Sequence, residues 1–233
     1  MTTAQYLERR TELETYFDRT AAAAWSRLTS DAPVGRIRAT VRAGRDEMRN
    51  TLLSWLPQDL RGARLLDAGC GTGALSIDAA RRGADVVAVD ISPTLIAIAS
   101  DRLPVDISPR AIRFIAGDML DPTLGKFDFV VAMDSVIHYQ PTDAAGIFAS
   151  FAARTLHSLL VTFAPKTPAL ALMHTVGRAF PRENRAPAIE PVTEQYLKRL
   201  IADHPDLEDW AFGRSRRVAS GFYKSHALEL LRR

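Results

Sequence analysis

The sequence predicts a doubly wound α/β fold: a mainly parallel, seven-stranded sheet with an antiparallel C-terminal strand and helices around it. Three observations carry that prediction. Short apolar runs alternate with helix-forming segments between Arg64 and Phe163. One of them, Leu65 to Ala68, passes into Gly69-Cys70-Gly71-Thr72-Gly73, with glycine at alternate positions ahead of a helical stretch. Acids stand at or near the ends of three runs, at Asp67, Asp90 and Asp118, the edge at which open α/β sheets bind ligands.

The 233 residues are 47% hydrophobic and 24% charged, with a formal net charge of +3. That length suits one core with elaborations, and that composition suits a globular protein rather than a disordered one. So mild a charge excess does not point to nucleic acid, which needs a concentrated basic stripe. No run reaches the roughly 18 to 20 apolar residues that span a bilayer. The polar N-terminal stretch lacks a secretory segment, so the expected location is the cytoplasm. Cys70 is the single cysteine. Within a glycine loop it is expected to pack as a small side chain, and no protein-bound metal is expected.

Gln5 to about Trp25 reads as helical, with Tyr6, Leu13, Tyr16, Phe17 and Trp25 as anchors, divisible into two helices by a cap at Asp18 or Thr20. A turn follows from Thr29 to Pro33. Gly35 to Trp55 is one long helix, with Ile37, Val41, Met48, Leu52 and Trp55 on its apolar face and Arg38, Arg42, Arg45 and Arg49 on the adjacent one. Those arginines admit three uses: a solvated face paired with acids, a clamp for a carboxylate in the site, or contact with anionic lipid.

Arg64 to Ala68 is the first strand and Ala74 to Arg82 its helix. Asp85 to Asp90 is the second, followed by Ser92 as N-cap and Pro93 as first residue of a helix ending at Arg102. Ala111 to Ala116, Lys126 to Met133 and Thr155 to Phe163 supply three more strands, with a helix over Asp143 to Arg154. Beyond Pro165 come helical Thr167 to Ala179, an irregular Phe180 to Pro187, and a helix over Thr193 to Asp203. Two strands, Leu207 to Arg217 and Gly221 to Leu230, are expected to pair antiparallel. The domain expectation is a helical cap (1–58), an α/β core (59–164), a helical insertion walling the substrate (165–206), and a strand pair completing the sheet (207–233).

The loop chemistry narrows the ligand. A dinucleotide fingerprint spaces its glycines G-x-G-x-x-G. Here Gly69, Gly71 and Gly73 alternate and follow Asp67, an acid that repels a pyrophosphate but suits an amino group. S-adenosylmethionine carries such an ammonium. Asp90 is then placed to accept from ribose hydroxyls and Asp118 from an adenine amino group, with Ile91 and Met119 packing on the ring.

D-A-G-C-G-T-G, D-I-S, G-D-M and F-D-F-V-V-A-M-D, in that order, resemble the class I S-adenosylmethionine-dependent methyltransferases over roughly Arg61 to Phe163. The flanks carry a narrower resemblance. Tyr16 to Thr20 with Trp25, the arginine-rich helix, Met133 to Tyr139, Phe180 to Pro187 and Gly221-Phe222-Tyr223 are similar to the magnesium-protoporphyrin IX O-methyltransferases of bacteriochlorophyll synthesis. This resemblance implies methyl transfer from S-adenosylmethionine to a propionate of magnesium protoporphyrin IX, yielding the monomethyl ester and S-adenosylhomocysteine. It implies catalytic roles for His138 and Tyr16, and Met133 and Arg45 are expected beside the cofactor.

For a flat pigment with a charged rim, Trp25, Tyr139 and Phe180 are the aromatic candidates and Arg182 and Arg185 the rim candidates. The magnesium arrives inside the substrate, with His174 as a candidate axial ligand. Implied partners are neighbouring pathway enzymes such as magnesium chelatase, and peripheral contact with the photosynthetic membrane. Two other readings stand beside this one: methylation of another small acceptor, such as a quinone precursor, and a non-catalytic tetrapyrrole carrier. A nucleic-acid amino methyltransferase is disfavoured, because Asp134 to Tyr139 lacks the Pro-Pro-aromatic segment that holds a flipped base.

Overall fold

The computed structural model describes residues 4–29, 33–166 and 188–233. Five parallel strands lie where the apolar runs place them: β1 (Arg64–Ala68), β2 (Asp85–Asp90), β3 (Ile112–Ala116), β4 (Phe127–Ala132) and β5 (Thr155–Phe163). Next come β6 (Trp210–Ser220) and β7 (Tyr223–Arg232), which pair antiparallel with each other. β7 inserts between β5 and β6, giving the order β3-β2-β1-β4-β5-β7-β6 with β7 alone reversed. The last two strands begin later than expected. Leu207 ends a short 3-10 turn, Pro205–Leu207, and buries its side chain there instead of opening a strand.

Successive side chains on a strand face opposite ways. β1 therefore sends Leu65 to one face and Leu66 and Ala68 to the other, and Val131 of β4 opposes Val130 and Ala132 in the same way. Both faces are apolar and both need covering. The N-terminal helices are α1 (Ala4–Thr15), α2 (Ala22–Leu28) and α3 (Arg36–Trp55). In the core follow α4 (Ala74–Arg81), α5 (Pro93–Asp101), α6 (Pro141–Ala152) and α7 (Glu194–Ala202). α3 and α4 bury Met48, Leu52, Leu75 and Ala79 on one face, while α6 and α7 bury Ile147, Phe148, Leu197 and Ile201 on the other. Ile37, expected on the buried stripe of α3, is 59% exposed, because burial on that helix starts only at Gly44, two turns further on. No helix among the described residues is long and apolar enough to cross a membrane.

The N-terminal segment departs from the expected pair of capped helices. α1 runs through a π-helical turn, Tyr16–Ala21, into α2. Asp18 caps a different helix: its Oδ1 accepts from Ser92 Oγ and from the Thr94 N–H, both at 3.1 Å. The first turn of α5 has N–H groups without helical partners and a positive dipole end, which draw a carboxylate. Ser92 supplies the expected N-cap beside it, accepting from the Leu95 N–H at 3.2 Å. Carbonyls at the end of α2 are satisfied from two sides. Arg42 donates to the carbonyls of Arg27 and Leu28, each at 2.9 Å, and Arg102 to Ser26 O at 2.8 Å.

Strand order places the site. β1 has β2 on one side and β4 on the other, so the loops leaving β1 and β4 diverge and open a crevice at the strands' carboxyl ends. α3 closes its flank, and the packing there is tight: a methyl group on Gly44 would lie 2.5 Å from Cδ1 and 2.9 Å from Cβ of Tyr223. Gly44→Ala gains up to about 1 kcal/mol of helix propensity but overpacks at a cost of roughly 1–3 kcal/mol. A net loss of stability is expected in urea denaturation, together with a weaker Tyr223 contact to the site; an unchanged or higher midpoint would contradict this packing.

Candidate active site

The loop after β1 is folded by its glycines and tied to β2. Gly69 and Cys70 donate their N–H groups to Val89 O at 2.8 and 3.0 Å. Gly69, Gly71 and Gly73 all have positive φ, at 83°, 55° and 81°, which side chains rarely adopt. Space matters equally at Gly69, where a Cβ would fall 2.3 Å from Cβ of Ser135. Cys70 packs, as expected, in a partly buried position, and burial holds its thiol well above the ordinary range, in the protonated form.

The three acids sit in three different environments. Asp67 is buried behind the loop, accepts from Ser76 Oγ at 2.5 Å, and has its pKa pushed up to about 7 by that burial, with the nearby Asp90 charge adding to the effect. Asp90 accepts from the Gly71 N–H at 2.8 Å and the Ser92 N–H at 2.9 Å, one on each oxygen, and burial raises its pKa too. With about four lone-pair sites on a carboxylate, these bonds and a further one from the Ile91 backbone leave room for a ribose hydroxyl. Asp118 accepts from Tyr6 Oη and Arg10 Nη1, both at 2.7 Å, and from the Leu120 N–H at 2.8 Å. Its carboxylate is therefore a latch for α1 as well as part of the cavity wall.

Two chambers meet at the loop. One is walled by Asp90, Ile91, Asp118, Met119, Asp134, Ser135 and His138. The other is walled by Asp67, Cys70, Thr72, Arg42, Asp46 and Arg49. Trp25, Arg45, Gly69 and Met133 line both. Trp25 lies against the glycine loop, its Nε1 3.3 Å from where a Gly71 Cβ would be, and Arg45 stacks on its ring with the guanidinium carbon 4.6 Å from the centroid. The arginine stripe of α3 thus divides: Arg42, Arg45 and Arg49 line the second chamber, Arg42 also capping α2 and Arg49 pairing with Asp78 at 3.0 Å, while Arg38 is exposed.

His138 and Tyr139 are both buried at the chamber edge. His138 Nδ1 stands 3.2 Å from Ala188 O. Since a carbonyl only accepts, Nδ1 carries the proton there, and in the neutral ring Nε2 holds the lone pair. Tyr139, expected to present its ring to a substrate, lines the chamber and stacks on Tyr6 with centroids 5.2 Å apart. Tyr16 is half-buried, its ring edge-on to Phe17 at 5.2 Å, and it stands off the cavity wall that Phe17 joins. Both residues open the π turn. Phe180, Arg182, Arg185 and His174 lie outside the described residues. Among the described residues no group of three or more His, Cys, Asp or Glu side chains could hold a metal ion.

Sequence reading missed Asp134. It has a positive φ of 55°, and its carboxylate accepts four hydrogen bonds: Arg45 Nη1 and Tyr223 Oη at 2.9 Å on Oδ2, and Ser225 Oγ at 2.9 Å and Thr162 Oγ1 at 3.2 Å on Oδ1. Burial and the Asp134 charge hold the Tyr223 phenol well above its ordinary pKa. The available signal was an Asp at a strand end, one of the few residue types that tolerate left-handed backbone. Its partners come from α3, β5 and β7, which no local pattern connects to it.

A glycine cradle with no room for side chains, a ribose-ready acid at the end of β2 and a crevice at the switch point define an S-adenosylmethionine-dependent methyltransferase of class I. Residues 65–157 match a family model described as a methyltransferase domain, and residues 132–232 one described as the magnesium-protoporphyrin IX methyltransferase C-terminus. A magnesium-protoporphyrin O-methyltransferase of Rhodobacter capsulatus is 49% identical over 97% of this chain and 98% of its own, and one of Synechocystis is 28% identical over 97% of each. The crystal structure of the Synechocystis magnesium protoporphyrin IX methyltransferase with bound SAH superposes with a TM-score of 0.84 at 27% identity, covering 97% of this chain and all of that one. The chain belongs to the magnesium-protoporphyrin O-methyltransferase family.

Asp67 gives a pH test. The folded chain keeps its proton up to about pH 7, whereas an ordinary carboxyl releases it near 3.8. The folded state binds more protons between those values, so this group's contribution to stability falls as pH rises from about 4 to about 7. Asp67→Asn removes the fall. In ligand-free protein the variant's melting temperature is expected to gain on the wild type between about pH 5 and about pH 8; parallel curves would show that Asp67 is ionised throughout.

Proposed function

We propose that this chain transfers a methyl group from S-adenosylmethionine to a propionate carboxylate of magnesium protoporphyrin IX, forming the monomethyl ester. The observation that carries the reading is that kinship extends through the flanks as well as the cofactor core, with the relative named for this reaction matching along nearly the whole chain. The cofactor core alone serves many acceptors.

When bound, S-adenosylmethionine supplies a sulfonium methyl group, which a carboxylate oxygen accepts with no proton to remove. The residues of this chain bind and align. In the first chamber Asp90 would hold the ribose, Ile91 and Met119 the adenine faces, and Asp118 the amino edge. In the second, Asp67 suits an ammonium, and Arg45 with Arg42 and Arg49 suits a carboxylate. A propionate is already ionised near neutral pH, so catalysis rests on positioning rather than on a strong base. His138 is proposed to hydrogen-bond the reacting carboxylate as an imidazolium, Nδ1–H donating to Ala188 O and Nε2–H to the carboxylate, and Tyr16 to close over it from the rim. Trp25, Tyr139, Phe180, Arg182 and Arg185 remain the proposed pigment contacts. A product so hydrophobic also favours hand-over to a membrane surface or a neighbouring enzyme, and Ile37 and Phe222 offer exposed apolar side chains for it.

Incubation with methyl-labelled donor and magnesium protoporphyrin IX is expected to give labelled monoester. Pigment binding without ester would favour a carrier, and labelling of a quinone precursor instead would move the acceptor. His138→Ala is expected to lower turnover about tenfold or more while leaving donor affinity within about twofold, as for a group acting beyond the cofactor. Calorimetry showing a collapse of donor affinity with normal turnover of the bound complex would remove His138 from the acceptor side.

A further inference from the structure

We infer that Ser135 is a carboxylate-binding residue, its hydroxyl donating to the reacting propionate of the acceptor. Among the described residues Ser135 Oγ is the one buried side-chain oxygen without a hydrogen-bond partner. Buried hydroxyls are almost always paired, because an unmet one forfeits its hydration for nothing.

Position makes the orphan informative. Ser135 occupies the N-cap of the short 3-10 turn Val136–His138, where a serine ordinarily bonds to its own turn, yet it makes no cap bond. Its backbone is in the right-handed helical region, φ −93° and ψ −34°, rather than the extended region typical of a capping residue. The left-handed Asp134 before it sets that orientation, held by its four side-chain bonds and by its own N–H to Thr162 Oγ1 at 2.7 Å. Ser135 is pressed over the cofactor loop, 2.3 Å from where a Gly69 Cβ would stand, so the glycine makes room for it. Ser135 thus lies in the wall of the chamber shared with His138, at the end of β4, with its hydroxyl buried just behind that wall.

The ligand atom it suits is a hydrogen-bond acceptor. Two carboxylates belong to the reaction, the donor's amino-acid carboxylate and the acceptor's propionate. Of the arginines suited to the first, Arg42 and Arg49 line only the other chamber and Arg45 lines both, whereas Ser135 lines only the chamber of His138. The second falls to Ser135, next to His138. This assignment rests on the proposed reaction, and it adds a donor that restrains one oxygen while the other faces the methyl group.

The test is titration of magnesium protoporphyrin IX into the enzyme saturated with S-adenosylhomocysteine, followed by pigment absorbance, for wild type, Ser135→Ala and the near-isosteric, weakly donating Ser135→Cys. Both variants are expected to bind the pigment about tenfold more weakly, the loss for a hydrogen bond to a charged group. With the dimethyl ester of the pigment, whose neutral carbonyl oxygens accept more weakly than a carboxylate, the difference should shrink. Affinity for S-adenosylhomocysteine should stay within about twofold, and the ligand-free melting temperature should not fall, because no bond is lost in the free protein. Equal affinities for the free acid, an equal loss with the dimethyl ester, a matching loss for S-adenosylhomocysteine, or a drop in ligand-free stability would each overturn the assignment. A wild-type enzyme that neither binds nor esterifies the pigment would sink the proposed reaction and this role together; normal wild-type behaviour with indifferent variants would sink this role alone.

Discussion

The Asp134 carboxylate is the interaction on which the site depends. Left-handed backbone is unfavourable for a residue with a side chain, and a buried carboxylate is costly unless its lone pairs are met. Both conditions are imposed at one position, and four donors answer them: Arg45 from α3, Thr162 from β5, and Tyr223 and Ser225 from β7. The turn that carries Ser135, His138 and Tyr139 leaves the sheet in the direction these bonds dictate. Because the donors come from elements at both ends of the chain, the turn is correct only when the whole sheet is assembled.

The same economy governs the N-terminal segment. It buries Tyr6 and Leu13 in the core and packs Phe17 against it, and it is tied further by polar contacts to the carboxyl ends of the strands. Tyr6 and Arg10 grip Asp118, Asp18 caps α5, Arg9 donates to His138 O at 2.8 Å, and Trp25 lies over the glycine loop. Tyr6, Arg10 and Trp25 also line the first chamber. Solvent-side polar bonds of this kind open locally at less cost than core packing, which suits the cover of a site that admits a large flat substrate. Arg45 joins the two devices, pairing with Asp134 on one side and stacking on Trp25 on the other.

Much of the fold was legible because it rests on local rules. β1, β2 and β5 run between the residues that the apolar runs mark, and the Ser92-Pro93 start of α5 follows from capping chemistry. The glycine loop and its acids were legible for the same reason, since φ > 0 and strand-end position are properties of short stretches. Errors fell where one segment answers to a distant one. Asp18 reads as a cap for its own helix but serves α5, and Ile37 has the right period for burial but no neighbour to bury it.

The sequence by itself determined a parallel α/β sheet, a cofactor loop that prefers an ammonium to a pyrophosphate, and a resemblance that named the reaction. Periodicity, glycine placement and the position of acids are enough for these, because each acts over a few residues. Only the tertiary structure decided which side chains share the site. Asp134, Ser135, Arg45 and Tyr223 meet there because β7 is threaded between β5 and β6 and α3 packs across it, and contacts between segments 89 positions apart leave no periodic trace in the chain.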